Sequence, residues 1–187
     1  MKVSTTRFGE LEVDKKDIIQ FQEGLLGFEN LTKFFIVDPG DKTLILWLQS
    51  ITEPNVAFPI LEPKIFDANY VAKLLPAELQ SLGLENIQQA SIYAILTIPQ
   101  NIREISANLK APVVINNVTK MARQIVLQDS KLEVRAPVYL GLKRYIVAAS
   151  SDGVTPKKSE KPTSRSEERR VGKECELKCR SRWSPYH

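Results

Sequence analysis

Apolar and polar residues alternate along much of the first 150 positions, with the period of two that is typical of half-buried β-strands. Val3 and Thr5 follow this alternation, and residues 11–13 repeat it between acidic neighbours. Phe8-Gly9 lies between the two stretches and suits a turn. The pattern therefore predicts a β-hairpin at the start of the chain.

A second hairpin is predicted from two apolar runs, Lys33–Val37 and Leu44–Leu48. The residues between them, Asp38–Asp41, combine a proline of fixed φ with a permissive glycine, as turns require. Pro59 lies in a further strand candidate, and its missing N–H places it at an edge or a bulge. The further strand candidates are Val56–Leu61, Ala90–Ile98, Val113–Asn116, Ala122–Gln128 and Arg144–Ala148.

One short helix is predicted at about Pro76–Leu82. Leu75, Leu79 and Leu82 have helical spacing, and Gly83 suits the position after the last turn.

The stretch Ala90–Ile98 is apolar on both of its faces. A strand covered on both sides fits a closed or strongly rolled sheet. We therefore predict an all-β fold: a single small, rolled or barrel-like antiparallel β domain with one short helix.

The net charge of +4 would suggest a nucleic-acid partner, but the charge is unevenly distributed along the chain. Residues 1–150 contain 16 Lys and Arg and 16 Asp and Glu, whereas the last 37 residues contain 10 basic and 6 acidic side chains. The predicted domain is therefore neutral. A protein that grips nucleic acid would be expected to carry a basic face.

The first 150 residues contain neither histidine nor cysteine. Serine and cysteine hydrolase triads and the usual zinc sites need these side chains, so those classes are excluded for the domain. Chemistry based on carboxylates alone remains open as an alternative. No spacing selects a carboxylate pair, and we expect no enzyme, no cofactor and no metal.

The end of the chain differs in composition from the domain. Residues 151–164 are polar and rich in Pro, Ser and Lys, which predicts a disordered tail. Residues 165–187 resemble vector-derived sequence, although Cys175 and Cys179 could also form a metal or redox pair, or the segment a basic arm. Residues 1–7 lack the apolar core of a secretory signal, so a cytoplasmic protein is expected.

The segment Phe21–Phe28 has two glycines three residues apart within an apolar run. It predicts a bend whose glycines adopt positive φ and whose phenylalanines enter the core. Glu23, Leu25 and Leu26 are candidates for contact with a partner protein. The Gly-x-x-Gly pattern also occurs in RNA-binding KH domains, but Glu23 and Glu29 would repel phosphate here.

Four other residues have both a structural and a functional interpretation. Phe58, beside Pro59, lies either in a protected edge strand or in an edge that accepts a partner strand. Asn116 and Asn117 either cap a turn or offer amide hydrogen bonds to a partner. Tyr70 is either a core aromatic or an interface anchor.

Three ordered segments suggest a family. Phe21–Phe28, Asn55–Pro63 and Asn108–Asn116 together resemble the FliW family of flagellar assembly factors. Residues 66–70, the leucine-rich helix and residues 93–99 are similar in order and spacing, so the resemblance covers about residues 1–150.

The resemblance implies a cytoplasmic protein that binds newly made flagellin. It also implies an alternative partner, the CsrA-type RNA-binding translational regulator, which the protein removes from the flagellin message. The two binding equilibria would then be reciprocally coupled. A nucleic-acid-binding β-barrel and a carboxylate-dependent hydrolase are the alternatives.

Overall fold

The computed structural model describes residues 1–40 and 44–151, except for the side chains of residues 148–151. The predicted tail and the end of the Asp38–Asp41 turn lie outside the described residues. The α-helices are α1 (Pro76–Ser81) and α2 (Tyr139–Ser151). The strands are β1 (Lys2–Thr5), β2 (Gly9–Glu12), β3 (Ile19–Phe21), β4 (Lys33–Val37), β5 (Leu46–Ser50), β6 (Ala57–Leu61), β7 (Ala90–Thr97), β8 (Ser106–Ala107), β9 (Val113–Asn116), β10 (Met121–Gln124) and β11 (Ala136–Pro137).

Seven strands close into a barrel in the order β3-β4-β5-β6-β7-β9-β10. The pairing of β10 with β3 completes the circle, with Met121 opposite Gln20 and Ala122 opposite Phe21. That pair is parallel, whereas the other neighbours in the barrel are antiparallel. The predicted barrel is therefore confirmed, and the prediction of a purely antiparallel sheet is wrong at this pair.

The barrel encloses an apolar core, here called the barrel core, to which every one of its strands contributes. Its buried members are Ile19, Phe21, Leu25, Phe34, Leu48, Ile60, Val113, Ile115 and Ala122. Tyr93 and Ile95 of β7 pack against it. On its other face β7 contributes Ala94 and Leu96 to a second cluster, the outer core. The predicted two-sided burial of this strand is confirmed.

The outer core lies under α1, α2 and the segments that follow β6 and β10. Gly141 of α2 approaches the main chain of Phe66 so closely that a Cβ atom there would overlap it. Leu142 of the same helix packs against the outer core. Arg144–Ala148, predicted as a strand, is therefore helical. A mostly apolar run of five residues has the same pattern in a strand and in a buried helix, and the contact of Gly141 with Phe66 favours the helix.

The two predicted hairpins are confirmed. β1 pairs with β2 with Thr5 opposite Gly9, and β4 pairs with β5 with Val37 opposite Trp47. The first hairpin covers β4 and β5 from outside. There Phe8 meets the Trp47 ring edge-on, and the Arg7 guanidinium lies 4.0 Å from the centroid of that ring.

Pro59 does not mark an edge strand, because β6 lies between β5 and β7. Pro59 is opposite Trp47 in the β5–β6 ladder, but the β6–β7 ladder includes only Ile60 and Leu61. The proline therefore lies where pairing on one side has ended. The short helix is confirmed as α1, and Gly83 after it has φ of +64°.

Candidate protein-binding site

The bend between β3 and β4 is built by its two glycines. Gly24 and Gly27 have φ of +71° and +85°, as predicted. The N–H of Phe28 donates to the carbonyl of Leu25 at 2.8 Å, so residues 25–28 form a tight turn. Positive φ at its third position, Gly27, is the feature of a type II turn. This turn leaves Leu26 at the tip.

The bend is anchored by side chains that enter the barrel core. Phe21 and Leu25 are each 1% exposed. The Phe28 ring meets the Phe58 ring edge-on, with 5.0 Å between centroids, and Phe21 meets Phe34 in the same way at 5.2 Å. The structural interpretation of Phe21 and Phe28 is therefore confirmed. Leu25, named as a contact candidate, also belongs to the barrel core, so its side chain is buried.

The outward side of the bend presents Leu26 and Glu23. Leu26 is 60% exposed, and its N–H donates to Oε1 of Gln124 at 3.0 Å. Oε2 of Glu23 lies 3.3 Å from Nη2 of Arg123, whose other terminal nitrogen is 3.5 Å from the Ser81 hydroxyl. We call these five residues the bend face. They bring together the bend, the end of α1 and β10.

Hydrogen bonds within the bend fix its main chain further. Oε1 of Glu29 accepts from the N–H of Gly27 at 2.9 Å. This bond, together with one from the N–H of Glu29 itself, lowers the pKa of the Glu29 carboxyl below its usual value. Gln22 donates from Nε2 to the carbonyl of Ser81 at 2.8 Å, which joins the bend to α1. These hydrogen bonds order the turn and join it to α1.

Asn116 caps two elements at once. Its Nδ2 donates to the carbonyl of Leu82 at 2.9 Å, and its Oδ1 accepts from the N–H groups of Val118 and Thr119. The side chain is buried, and its amide is used within the fold, in agreement with the capping interpretation. Asn117 is exposed and accepts a hydrogen bond from the Ser91 hydroxyl at 2.7 Å.

Phe58 and Tyr70 occupy different parts of the molecule. Phe58 is half-buried beneath the bend, where Phe28 covers it. Tyr70 is 4% exposed in the outer core and donates its hydroxyl hydrogen to the carbonyl of Leu109 at 3.0 Å. Burial, assisted by the charge of Asp67, raises the pKa of Tyr70 to about 12. The structure therefore places Tyr70 in the outer core, and Phe58 in the barrel core.

Three members of the bend face escaped the sequence analysis. Arg123 and Gln124 reach the bend through the closure of the barrel, which pairs β10 with β3, and Ser81 reaches it through the hydrogen bond from Gln22 to its carbonyl. Glu23 and Arg123 are 100 positions apart along the chain. No local pattern signals such a pair, because period and spacing report only neighbours on one element.

Within residues 1–40 and 44–151, no helix combines the length and apolarity that a membrane crossing needs. The same part of the chain contains no group of three or more His, Cys, Asp or Glu side chains placed to hold a metal ion.

Comparison with known proteins decides the family. The model of the FliW protein family matches residues 2–138. The chain belongs to the FliW family. The flagellar assembly factor FliW of Bdellovibrio bacteriovorus is 42% identical over 147 residues, which cover 79% of this chain and 84% of that protein. The FliW of Thermosipho africanus is 38% identical over 131 residues, or 70% and 90% of the two chains.

The fold agrees with a solved FliW structure. The crystal structure of a flagellar assembly factor FliW superposes with a TM-score of 0.68 at 28% identity, covering 74% of this chain and 96% of that one. The suspected FliW resemblance is therefore confirmed, and with it the role of the family in flagellar assembly. The bend Phe21–Phe28, β6 and β9 all lie within the matched range.

Proposed function

We propose that this FliW-family protein binds newly made flagellin and, alternatively, a CsrA-type RNA-binding regulator. Binding of the regulator removes it from the flagellin message, so translation resumes when flagellin is exported. Flagellin and the regulator then compete for one limiting protein, and each must weaken the binding of the other by the same factor.

The observation that supports this proposal best is the bend face. It presents the apolar side chain of Leu26 on a turn whose main chain is hydrogen-bonded within the molecule. An exposed leucine on a rigid support suits the apolar centre of a protein interface. The ion pair of Glu23 and Arg123 beside it suits a polar rim, since rim charges mainly set specificity and association rate.

The charge of the domain supports a protein partner over RNA. Residues 1–150 carry equal numbers of basic and acidic side chains. The bend itself has acidic residues at positions 23 and 29 and no basic residue between Asp17 and Asn30. Phosphate contacts dominate RNA affinity, so this surface suits an antagonist that binds the regulator and not the message.

The proposal is tested by titrating the full-length protein with labelled flagellin and with a labelled CsrA-type protein. Both are expected to bind, and unlabelled flagellin is expected to release the regulator. Leu26→Asp is expected to weaken at least one of the two complexes by about tenfold or more, because a charge would be buried in an apolar contact. Val134→Asp is the matched control, since Val134 is 57% exposed and lies outside the bend face.

Three results would contradict the proposal. The first is failure of both proteins to bind at micromolar concentration. The second is simultaneous binding of both with no change in either affinity. The third is tight binding of RNA that weakens steeply with salt, which would favour the nucleic-acid alternative.

A further inference from the structure

A cleft of about 440 Å³ lies between two segments that have no assigned strand partner in the barrel, and it adjoins the bend face where the Ser81 hydroxyl donates to the carbonyl of Glu78 at 2.7 Å. One wall is formed by residues 71–78, which precede and begin α1. The other wall is formed by residues 126–132, which follow β10. Ala72 and Leu127 are buried beneath the walls and hold both segments on the outer core.

The main chain at the start of the first wall has no hydrogen-bond partner within the described chain. Among the described residues, no hydrogen bond involves an N–H or C=O group of residues 71–74. The second wall is used on one edge: the N–H groups of Ile125 and Leu127 donate to the carbonyls of Pro112 and Lys110, at 3.0 and 2.8 Å. In the described chain the main-chain groups of Val126 have no such partner. Unused edges of this kind are templates for a further strand.

The side chains of the first wall alternate as those of a strand do. Val71 and Leu75 are 62% and 54% exposed, and Lys73 between them is exposed as well. Ala72 is buried and Leu74 packs against the outer core. The wall therefore offers every second side chain to the cleft, and the main-chain groups of residues 71–74 have no hydrogen-bond partner within the described chain.

The charges of the cleft favour an acidic side chain in its occupant. Glu78 accepts the N–H of Leu75 at 2.7 Å, and Asp129 accepts the N–H of Lys131 at 2.9 Å, so both carboxylates are turned to the main chain of the walls. Within residues 1–40 and 44–151, neither Lys73 nor Lys131 forms an ion pair. Their ammonium groups remain available to a carboxylate.

From these observations the geometry points to a second binding site: the cleft takes an extended segment of a partner protein by strand addition. The segment carries alternating apolar side chains and an acidic one that reaches Lys73 or Lys131. An α-helix does not fit this description, because its main-chain groups are already paired and would leave those of residues 71–74 unmet. This inference goes beyond the proposed function and does not depend on which proteins bind the bend face.

The inference is tested by selecting random phage-displayed dodecapeptides on the full-length protein and on Lys73→Pro in parallel. Proline removes an N–H that has no acceptor within the described chain, so the fold is expected to persist, as an unchanged unfolding midpoint would verify. The wild type is expected to enrich peptides with alternating apolar residues and an acid. Their affinity for Lys73→Pro should fall roughly tenfold or more, as expected when main-chain bonds are lost.

Two further variants keep the test decisive if Lys73→Pro does not fold. Lys73→Glu should weaken the same peptides by repelling their acid, and Val71→Asp by removing an apolar contact. Leu26→Asp on the bend face is the control and should bind them as the wild type does. Failure to enrich any peptide, enrichment of helical peptides, or equal binding by the wild type and the folded cleft variants would overturn the inference.

Discussion

The bend and the cleft differ in whether their main-chain groups are already hydrogen-bonded within the molecule. At the bend the N–H groups of Leu26, Gly27 and Phe28 all have acceptors within the molecule, so none of these three donors remains for a partner. At the first cleft wall, residues 71–74 leave their main chain unbonded to any part of the described chain. One small barrel thus offers a shaped side-chain surface and an open strand edge.

This difference has consequences for specificity. Side-chain recognition at the bend requires a partner of complementary shape, because single truncations at an interface centre remove much of the affinity. Main-chain recognition at the cleft tolerates many sequences, since every residue offers an N–H and a C=O group. We therefore expect substitutions at the bend to act through shape and those at the cleft through hydrogen bonding.

The largest effect is expected for Gly24→Ala. A Cβ atom at Gly24 would lie 2.6 Å from the carbonyl oxygen of Phe28 and 2.7 Å from that of Glu29, in addition to the strain of positive φ. We expect a loss of about 3 kcal/mol or more in the free energy of unfolding, measured by denaturant titration.

Gly27→Ala is the matched control for Gly24→Ala. Gly27 also has positive φ, but an added Cβ meets nothing within 4 Å. Only the backbone strain remains, so a loss of about 1 kcal/mol is expected. Equal losses in the two variants would contradict the close packing of the bend.

A smaller effect is expected from Leu25→Ala, which removes a side chain that is 1% exposed in the barrel core. A loss of about 2–3 kcal/mol is expected, in the lower part of the range typical of such truncations, because the exposed turn residues Leu26 and Gly27 beside the cavity can partly close it. Leu26→Ala should change the free energy of unfolding by less than about 0.5 kcal/mol while weakening a partner. If Leu26→Ala destabilised the fold as much as Leu25→Ala, the division of the turn into core and contact residues would be wrong.

An effect smaller than that of Leu25→Ala is expected at Tyr70, which precedes the first cleft wall. Tyr70→Phe removes the hydrogen bond to the carbonyl of Leu109, so the free energy of unfolding should fall by about 1 kcal/mol near neutral pH. Binding at the bend face should not change.

The pH dependence of stability provides a second readout for Tyr70. Its pKa in the folded state is raised to about 12, above the value of about 10 expected for an unfolded chain. The wild-type stability due to this group is therefore fully present below about pH 10 and is lost as the pH rises towards 12. Tyr70→Phe should lose less stability across that interval. A variant with the same alkaline slope as the wild type would contradict the burial of the hydroxyl.

Local pattern predicted those parts of the fold that depend on neighbours along the chain. Both hairpins, α1 and the two-sided β7 follow from alternation, helical spacing and turn residues. The glycines of the bend were also predictable, because positive φ is a property of a single residue. Of the three bend residues named as contact candidates, Glu23 and Leu26 are exposed and Leu25 is buried.

The remaining features depend on contacts between distant residues. The parallel β3–β10 pair closes the barrel and brings Arg123 close to Glu23. The residues next to either one in the sequence give no sign of that contact. Docking of Gly141 on Phe66 favours a helix where a short apolar run suggested a strand. Tyr70 and Asn116 were ambiguous for the same reason, since only the packed structure shows that their polar groups are used within the fold.

The separation of the two binding surfaces is tested most directly by one crossed measurement. The affinities of the cleft-selected peptides and of the proposed protein partners are measured for the wild type, Leu26→Asp and Lys73→Pro. We expect Leu26→Asp to lose at least one protein partner and keep the peptides, and Lys73→Pro to lose the peptides and keep that same partner. Loss of both ligands in each variant, with both variants folded, would contradict two independent surfaces.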